Sequence, residues 1–328
     1  MEPQHVKTLP EVMSEYNLSG LDYEIISELK HDKVWLIKDK KYGRRLVVKR
    51  LEQSRTVFPI LLHQKLYESG LLVPPVLLTK NGEAYVRKND RYYYVNEFVQ
   101  SLERITIERR IEALAAFHKT ARFKELRGID ESLEGIKLED FMKDYTLKIK
   151  DIINWGDRVK NPALKAELVE MTRMGLKVFH HIQNIDVENY LQKMEGRHMI
   201  CHADFNTNNA FLTRKGNVLV MDFDFAHFGP PIEDFRFLMM SFMRKENQNM
   251  EKLLASLFTI YFKFLEEDKS YMELYLLDSM FPHDFHKQLT SMLKNGDIGV
   301  LEKNKKSIIY WAGREKEKYR FLLKGVLK

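Results

Sequence analysis

One stretch constrains the rest of this chain: residues 198–226, H-M-I-C-H-A-D-F-N-T-N-N-A-F-L-T-R-K-G-N-V-L-V-M-D-F-D-F-A. It reads as a short apolar strand, a polar loop, a second strand around Arg214–Gly216, and a third strand, Val218–Met221, that delivers Asp222 at its end. A polar loop held between β segments can fix charged side chains on a rigid base. Within it His202, Asp204 and Asn209 form H-x-D-x-x-x-x-N, and Asp222 follows Asp204 by eighteen residues, enough for a hairpin to fold back. Two carboxylates and an amide, with no His or Cys ligand set, suit a hard cation such as Mg²⁺ held partly through phosphate oxygens. The same set suits phosphoryl transfer: one Asp receives the proton of an attacking hydroxyl, while the Asn and the second Asp hold metal against a nucleotide. A lone His-x-Asp is no more than a loop with a satisfied turn; the Asn and the strand-end carboxylate lift the pattern above that. Asp224 is the competing acid, and both the spacing and the strand end favour Asp222.

Composition narrows the class. The chain has 328 residues, 44% hydrophobic and 30% charged, which fits a soluble two-domain or bilobal protein. No apolar run approaches the roughly 18 residues of a membrane span. The N-terminus M-E-P-Q-H-V-K lacks an apolar secretory core, so a cytosolic start is expected. The single cysteine, Cys201, excludes an internal disulfide and a Cys-based zinc site, and reads as a small buried hydrophobe. A net charge of +6 favours approach to anions such as nucleotides. Lys and Arg are nevertheless spread along the chain without a recognisable DNA- or RNA-reading motif, so no nucleic-acid partner is expected.

In chain order, Leu9–Leu18 reads as a short helix, followed by a β meander over Tyr23–Leu29, Lys33–Lys38 and Arg45–Leu51. Its third strand, R-L-V-V-K-R-L, sets Lys49 after two valines, the context in which kinase-like folds supply a phosphate-binding lysine; a surface Lys on a half-exposed strand is the plain alternative. The turn L-K-H-D-K before Lys33 has no glycine to bring backbone amides onto phosphates. Helix Thr56–Ser69 is flanked by Glu52 and Glu68, neither placed to pair with Lys49; an apolar residue near Ile60 stands where such a Glu is usual. Strands Ala84–Lys88 and Tyr92–Phe98 follow, then helices Glu103–Arg122, Leu138–Ile153 and Pro162–Gln192. His118 reads as a packing histidine, and Lys124–Gly135 as a polar connection. Beyond the loop come helices Ile232–Met243, Met250–Leu265, Met272–Asp278, Asp284–Asn295 and a basic last helix, Glu302–Lys328, with an exposed, charge-alternating face. The run Met239–Met243 reads as adaptable core packing.

The set His202, Asp204, Asn209 and Asp222 resembles the catalytic core of the aminoglycoside phosphotransferase and choline kinase group, relatives of protein kinases. That resemblance implies an α+β, bilobal protein kinase-like fold: a small N-terminal antiparallel sheet lobe over residues 1–97, and a larger helical lobe over 98–328 carrying the catalytic-type loop 200–225. It implies Asp204 as catalytic base, with His202 completing the catalytic pair by orienting the loop, Asn209 and Asp222 as metal ligands, and Lys49 on the phosphates. It also implies a hinge over Asn96–Ser101 whose backbone, at Glu97 and Val99, meets adenine, so that ATP and Mg²⁺ are the cofactors of an active member. Asp234, in P-P-I-E-D-F-R-F-L, either braces the loop as in that group or is an ordinary first-turn carboxylate.

Further segments narrow the likeness. They are K-V-W-L-I-K-D-K-K-Y-G-R-R-L-V-V-K-R, L-Y-E-S-G-L-L-V-P-P-V-L-L-T-K-N-G-E-A-Y-V, V-M-D-F-D-F-A-H-F-G-P-P-I-E-D-F-R-F-L, M-F-P-H-D-F and R-E-K-E-K-Y-R-F-L. Together they resemble the CotS/YutH/YsxE group of spore coat-associated proteins of endospore-forming bacteria. This implies a protein made in the mother-cell cytoplasm and deposited in the spore coat, with other coat proteins as partners. Two functions stand against each other. One is coat assembly through the protein surface, favoured by that likeness, the missing glycine turn and the missing helix Glu. The other is an ATP- and Mg²⁺-dependent phosphotransferase acting on a hydroxyl of a small molecule or coat protein, favoured by the intact Asp204–Asn209–Asp222 set. An antibiotic-modifying enzyme is disfavoured, because the helical part shows no carboxylate-rich segment for a cationic acceptor.

Overall fold

The computed structural model describes residues 8–51, 56–100, 105–129, 137–213, 215–243, 257–263 and 271–326. These form two compact units, residues 1–134 with 200–227, and residues 135–199 with 228–328. The expected lobe boundary at residue 97 therefore falls inside the first unit, which also takes up the following helix and the Asp204 loop.

The first unit is built on a five-stranded sheet of order β1-β2-β3-β5-β4, with β1 Tyr23–Lys30, β2 Val34–Asp39, β3 Arg45–Arg50, β4 Val86–Lys88 and β5 Arg91–Glu97. All four pairings are antiparallel. Helix α1 (Thr8–Ser14) buries Leu9, Val12 and Met13 in one cluster with Trp35, Ile37, Leu46, Val48 and Val95. Because side chains on a strand alternate between faces, burying Leu46 and Val48 on that cluster sends Val47 and Lys49 to the opposite face. Tyr94 and Asn96 of β5 reach that face by the same alternation, and the register sets Lys49 between Val34 and Tyr94. On the far side, α2 (Phe58–Glu68) packs Ile60 against Leu51, Ala84 and Tyr94. Helix α3 (Ile107–Thr120) buries Ile111, Leu114, Phe117 and His118; His118 lies against Phe117, as a packing histidine should.

Helices α4 (Leu138–Arg158) and α5 (Pro162–Ile182) pack closely in the second unit. A Cβ at Gly175 would come within 3.3 Å of Ile149, so only glycine permits that approach without adjustment. The expected helix over Pro162–Gln192 is in fact two, because the chain breaks after Ile182. Asp186 then caps α6 (Val187–Gly196) by accepting the Asn189 N–H. The strands β6 (Ile200–Cys201), β7 (Ala210–Leu212) and β8 (Val218–Val220) and helix α7 (Ile232–Met243) follow. The strand expected around Arg214–Gly216 is displaced to β7. Lys215-Gly216 form the turn instead, with Gly216 at φ +73°, and Arg214 lies outside the described residues.

Helices α8 (Met272–Met280), α9 (His283–Met292), α10 (Gly299–Lys303) and α11 (Lys305–Val326) complete the chain. The last helix is not a wholly solvated charged face. Glu315 and Lys318 are buried and paired, Glu315 accepts the Phe285 N–H, and Lys318 donates to the Phe281 carbonyl. Residues 101–104, including the end of the expected hinge, 130–135 of the polar connection, most of the helix expected over Met250–Leu265, and the side chains of Phe242 and Met243 fall outside what is described. Among the described residues no helix is long and apolar enough to cross a membrane.

The β2–β3 turn depends on Asp39. Its buried carboxylate accepts the N–H groups of Lys41 and Tyr42 and the Arg44 guanidinium. Replacing it with Ala strands those backbone donors, and Asp39→Ala should lower the unfolding free energy by roughly 1–3 kcal/mol. Urea titration with an unchanged slope checks this.

Candidate active site

Four pieces of the first unit build the site: β3, α2, the loop between β6 and β7, and the segment after β8. The hairpin β7–β8 is antiparallel, with Ala210 opposite Val220 and Leu212 opposite Val218. It returns the chain so that the Met221 N–H donates to the Asn209 carbonyl. The two segments that carry the expected acidic residues are thereby tied together at their bases.

Asp204 is held at both oxygens. The Asn206 amide donates to Oδ1 at 2.9 Å, and the Asn209 amide donates to Oδ2 at 2.9 Å and to the Asp204 carbonyl at 2.8 Å. Both amide donations of Asn209 are thus spent on Asp204, which turns its carboxamide oxygen to the role of acceptor. Asn206 in turn accepts the Asn208 N–H at 2.7 Å. His202 is wholly buried, ringed by Phe117, Phe205 and Phe223, with Nε2 3.1 Å from the Met221 carbonyl. A carbonyl only accepts, so His202 carries its proton on Nε2, and Nδ1 faces the Asp204 N–H. It joins the two ends of the loop as a positioning residue. The backbone on either side is left-handed, at φ +59° for Ala203 and +66° for Asp222, which costs of order 1–3 kcal/mol per non-glycine residue.

Lys49 reaches across to the segment after β8. Its Nζ lies 2.5 Å from Asp222 and 2.7 Å from Asp224. The second acid, set aside on spacing, therefore shares the cation with the first. Burial alone would lower the Lys49 pKa; Tyr94, Asp224 and Asp222 outweigh it and push it up. At Asp222 burial acts to raise the pKa, but the ammonium prevails and the carboxyl titrates below its ordinary range. At Asp224 burial and the neighbouring Asp222 charge prevail over Lys49, and the pKa is raised. Two carboxylates at one site hold each other apart in this way.

No glutamate of α2 faces Lys49. Ile60 is buried in the core, and the α2 residue lining the same cavity as Lys49 is His63. It is buried, its ring 5.2 Å from Phe223 and its Nε2 2.7 Å from the Pro74 carbonyl. Burial pushes its pKa down to about 4, so it stands neutral at pH 7. Sequence reading missed Asn206 and His63. A polar residue two after Asp204 was a visible signal for the first; a lone His on an apolar helix face gave none for the second.

Lys49, Glu97, Val99 and Asp222 all line one cavity of about 200 Å³, walled by Leu29, Val34, Val47 and Phe98. This is below the about 300–1,000 Å³ of a typical small-molecule pocket, large enough for a heterocycle but not a whole nucleotide. The hard oxygen donors of Asp222, Asp224 and Asn209 fit a cation such as Mg²⁺. The apolar walls fit a heterocyclic base, and the Lys49 ammonium fits a phosphate group. Asp234 lies in the second unit, buried in the first turn of α7.

Comparisons with known proteins give the family and the fold. The family described as "Phosphotransferase enzyme family" matches residues 22–267. An aminoglycoside phosphotransferase from Alicyclobacillus acidocaldarius superposes with a TM-score of 0.73 at 19% identity, over 99% of this chain and 96% of that one. The AMP-bound spectinomycin phosphotransferase APH(9)-Ia gives 0.55 at 11% identity, over 97% and 98%. The ADP-bound aminoglycoside phosphotransferase APH(2'')-Ib gives 0.54 at 14%, over 97% and 99%. At these identities the likeness speaks for the kinase-like fold.

The buried neutral His63 makes stability depend on pH. Below about 6.5 the unfolded chain takes up a proton that the folded protein refuses until about pH 4. Stability is therefore lost as pH falls through that window, by up to about 3 kcal/mol. Denaturant titrations at pH 7 and pH 4.5 should show a smaller loss for His63→Gln than for the native chain. Equal losses would remove His63 from the account.

Proposed function

This chain belongs to the phosphotransferase enzyme family, and we propose that it moves the γ-phosphoryl group of ATP, with Mg²⁺, to a hydroxyl of a small molecule or protein. The observation that carries this reading is the pairing of two prepared groups in one unit. Asp204 is fixed at both oxygens by Asn206 and Asn209, and Lys49 is fixed between Asp222 and Asp224.

The roles follow from the chemistry of each side chain. Asp204, with both oxygens oriented, accepts the proton of the attacking hydroxyl as the new bond to the γ-phosphorus forms and its bond to the β,γ-bridging oxygen breaks, releasing ADP. The Asn206 and Asn209 donors keep its carboxylate aimed. Lys49 supplies a fixed positive charge to the phosphate chain without moving toward it during reaction. The strip Glu97–Val99 and the apolar walls around it hold the base. Asp222 and Asn209, with Asp224 beside them, would hold Mg²⁺, which when bound neutralises charge on the phosphate oxygens. Nucleotides in the ADP- and AMP-bound relatives support this choice of cofactor.

A second reading concerns place rather than chemistry. We propose that the protein is made in the mother-cell cytoplasm and enters the spore coat, where it contacts other coat proteins. Its support is the sequence likeness to the CotS/YutH/YsxE group, together with two departures at the nucleotide site: His63 in place of a helix glutamate, and a glycine-free β1–β2 turn. In that turn Asp32 sits at φ +54° and donates its N–H to Glu28, where a phosphate-binding turn would keep its amides for the ligand.

Release of labelled phosphate from γ-labelled ATP, to water or an added acceptor, tests the first reading. Asp204→Asn should lower the rate by about 10²–10⁴ with an unchanged melting temperature. A rate that survives the substitution counts against it. Imaging a tagged chain in sporulating cells tests the second: recruitment of the Asp204→Asn variant to the coat is expected, and absence of the native chain from the coat overturns it.

A further inference from the structure

The helical unit contains a cavity of about 540 Å³ between α4, α7 and α9, within the about 300–1,000 Å³ of small-molecule pockets. It shares no residue with the cavity around Lys49. Helical spacing explains its lining. Lys287 lies on α9 with Thr290 and Ser291 one turn further on, Lys294 follows in the turn just past the helix end, and α4 presents Asp144 and Lys148 one turn apart.

The floor is a locked polar network. Arg236 spreads its guanidinium over the buried Asp278 and over Asp144, and Asp278 also accepts from Tyr145 and His283. His283 donates its Nε2–H to Asp278, so its Nδ1 accepts from Lys148 at 3.2 Å. Burial holds His283 far below its ordinary pKa, and it stays neutral. Asp144 is shared, taking Lys148 at 2.6 Å and Arg236 at 3.0 Å. Burial and the Arg236 charge hold the Lys148 pKa below its ordinary value.

Four cations, Lys148, Arg236, Lys287 and Lys294, line this cavity beside the carboxylates Asp144 and Glu233, with Asp278 balancing Arg236 from below. Part of the remaining wall is apolar, beside the polar His283, His286, Thr290 and Ser291. Phe237 and Met240 face the space, and the Lys287 ammonium lies 4.9 Å from the centre of the Phe237 ring. A cation beside an aromatic face, above a donor-rich floor, matches a ligand that joins an apolar body to an anionic group.

We propose that this cavity binds a small organic anion, a phosphate or carboxylate on an aromatic or aliphatic body. Its charge meets Lys148, Lys287 and Lys294, and its apolar part lies on Phe237 and Met240. A polycationic ligand is the wrong class for it. The proposal is independent of the phosphotransferase reading, since it uses none of the same residues.

Calorimetric titration of the full chain tests it with phenyl phosphate, inorganic phosphate, benzyl alcohol and benzylamine. Phenyl phosphate should bind at least roughly tenfold tighter than each of the other three. The doubly substituted Lys287→Glu/Lys294→Glu protein should lose roughly a further tenfold or more. Lys49→Met should leave the affinity unchanged, which separates this site from the nucleotide cavity. Should the double variant fail to fold, Met240→Trp, which fills the cavity from its apolar wall, should abolish binding with the melting curve retained. Benzylamine binding as tightly as phenyl phosphate, no phenyl phosphate binding at millimolar concentration, loss of binding in Lys49→Met, or full binding in a folded cavity variant would each overturn the proposal.

Discussion

The candidate active site depends on one half-buried cation shared by two carboxylates. Lys49 stands between Asp222 and Asp224, and without it two acids two residues apart would face each other in a medium that screens charge poorly. The shared ammonium resolves that conflict unevenly. Asp222 is held ionised, while Asp224 is pushed toward protonation. A cation arriving with a nucleotide would meet an Asp222 already charged. Lys49 therefore does two jobs: it stabilises the resting arrangement and presents positive charge inside the cavity.

Backbone geometry makes that meeting possible. Strand alternation sends Lys49 away from the α1-facing core, and the short β7–β8 hairpin brings Asp222 back toward Asn209. Left-handed backbone at Ala203 and Asp222 then re-aims the chain at both ends of the loop. Strained non-glycine residues persist only where their surroundings over-determine them. His202 supplies that determination here, buried among three phenylalanines and bonded to the Met221 carbonyl. In this account the aromatic cluster is what keeps Asp204 and Asp222 in place, although it touches no reacting atom.

Much of this was legible in the sequence, and the limits are physical. The alternation in R-L-V-V-K-R and the turn D-K-K-Y-G located β2, β3 and Lys49, because period-two burial and turn chemistry are local. The H-x-D-x-x-x-x-N spacing located Asp204 and Asn209 for the same reason. Asp224 was legible as a residue but not as a partner of Lys49, since the pair is 175 residues apart in the chain and spacing from Asp204 carries no information about it. His63 was illegible: only the docking of α2 on the sheet decides which of its residues faces Lys49, and Ile60 was the wrong one. The break at Gln183–Asp186 was missed because the apolar pattern continues through it. The buried Glu315–Lys318 pair was missed because alternating charge on a helix looks the same buried or exposed.

The most direct measurement is the melting temperature of the full chain with ATP alone, Mg²⁺ alone and both together, repeated for Asp222→Ala against its own ligand-free value. A ligand at about 100 times its dissociation constant stabilises the folded state by roughly 2.7 kcal/mol. The account predicts a clear rise for the native chain that needs both ATP and Mg²⁺ and is lost in Asp222→Ala. No rise at millimolar ATP with Mg²⁺, or an equal rise in Asp222→Ala, would contradict it.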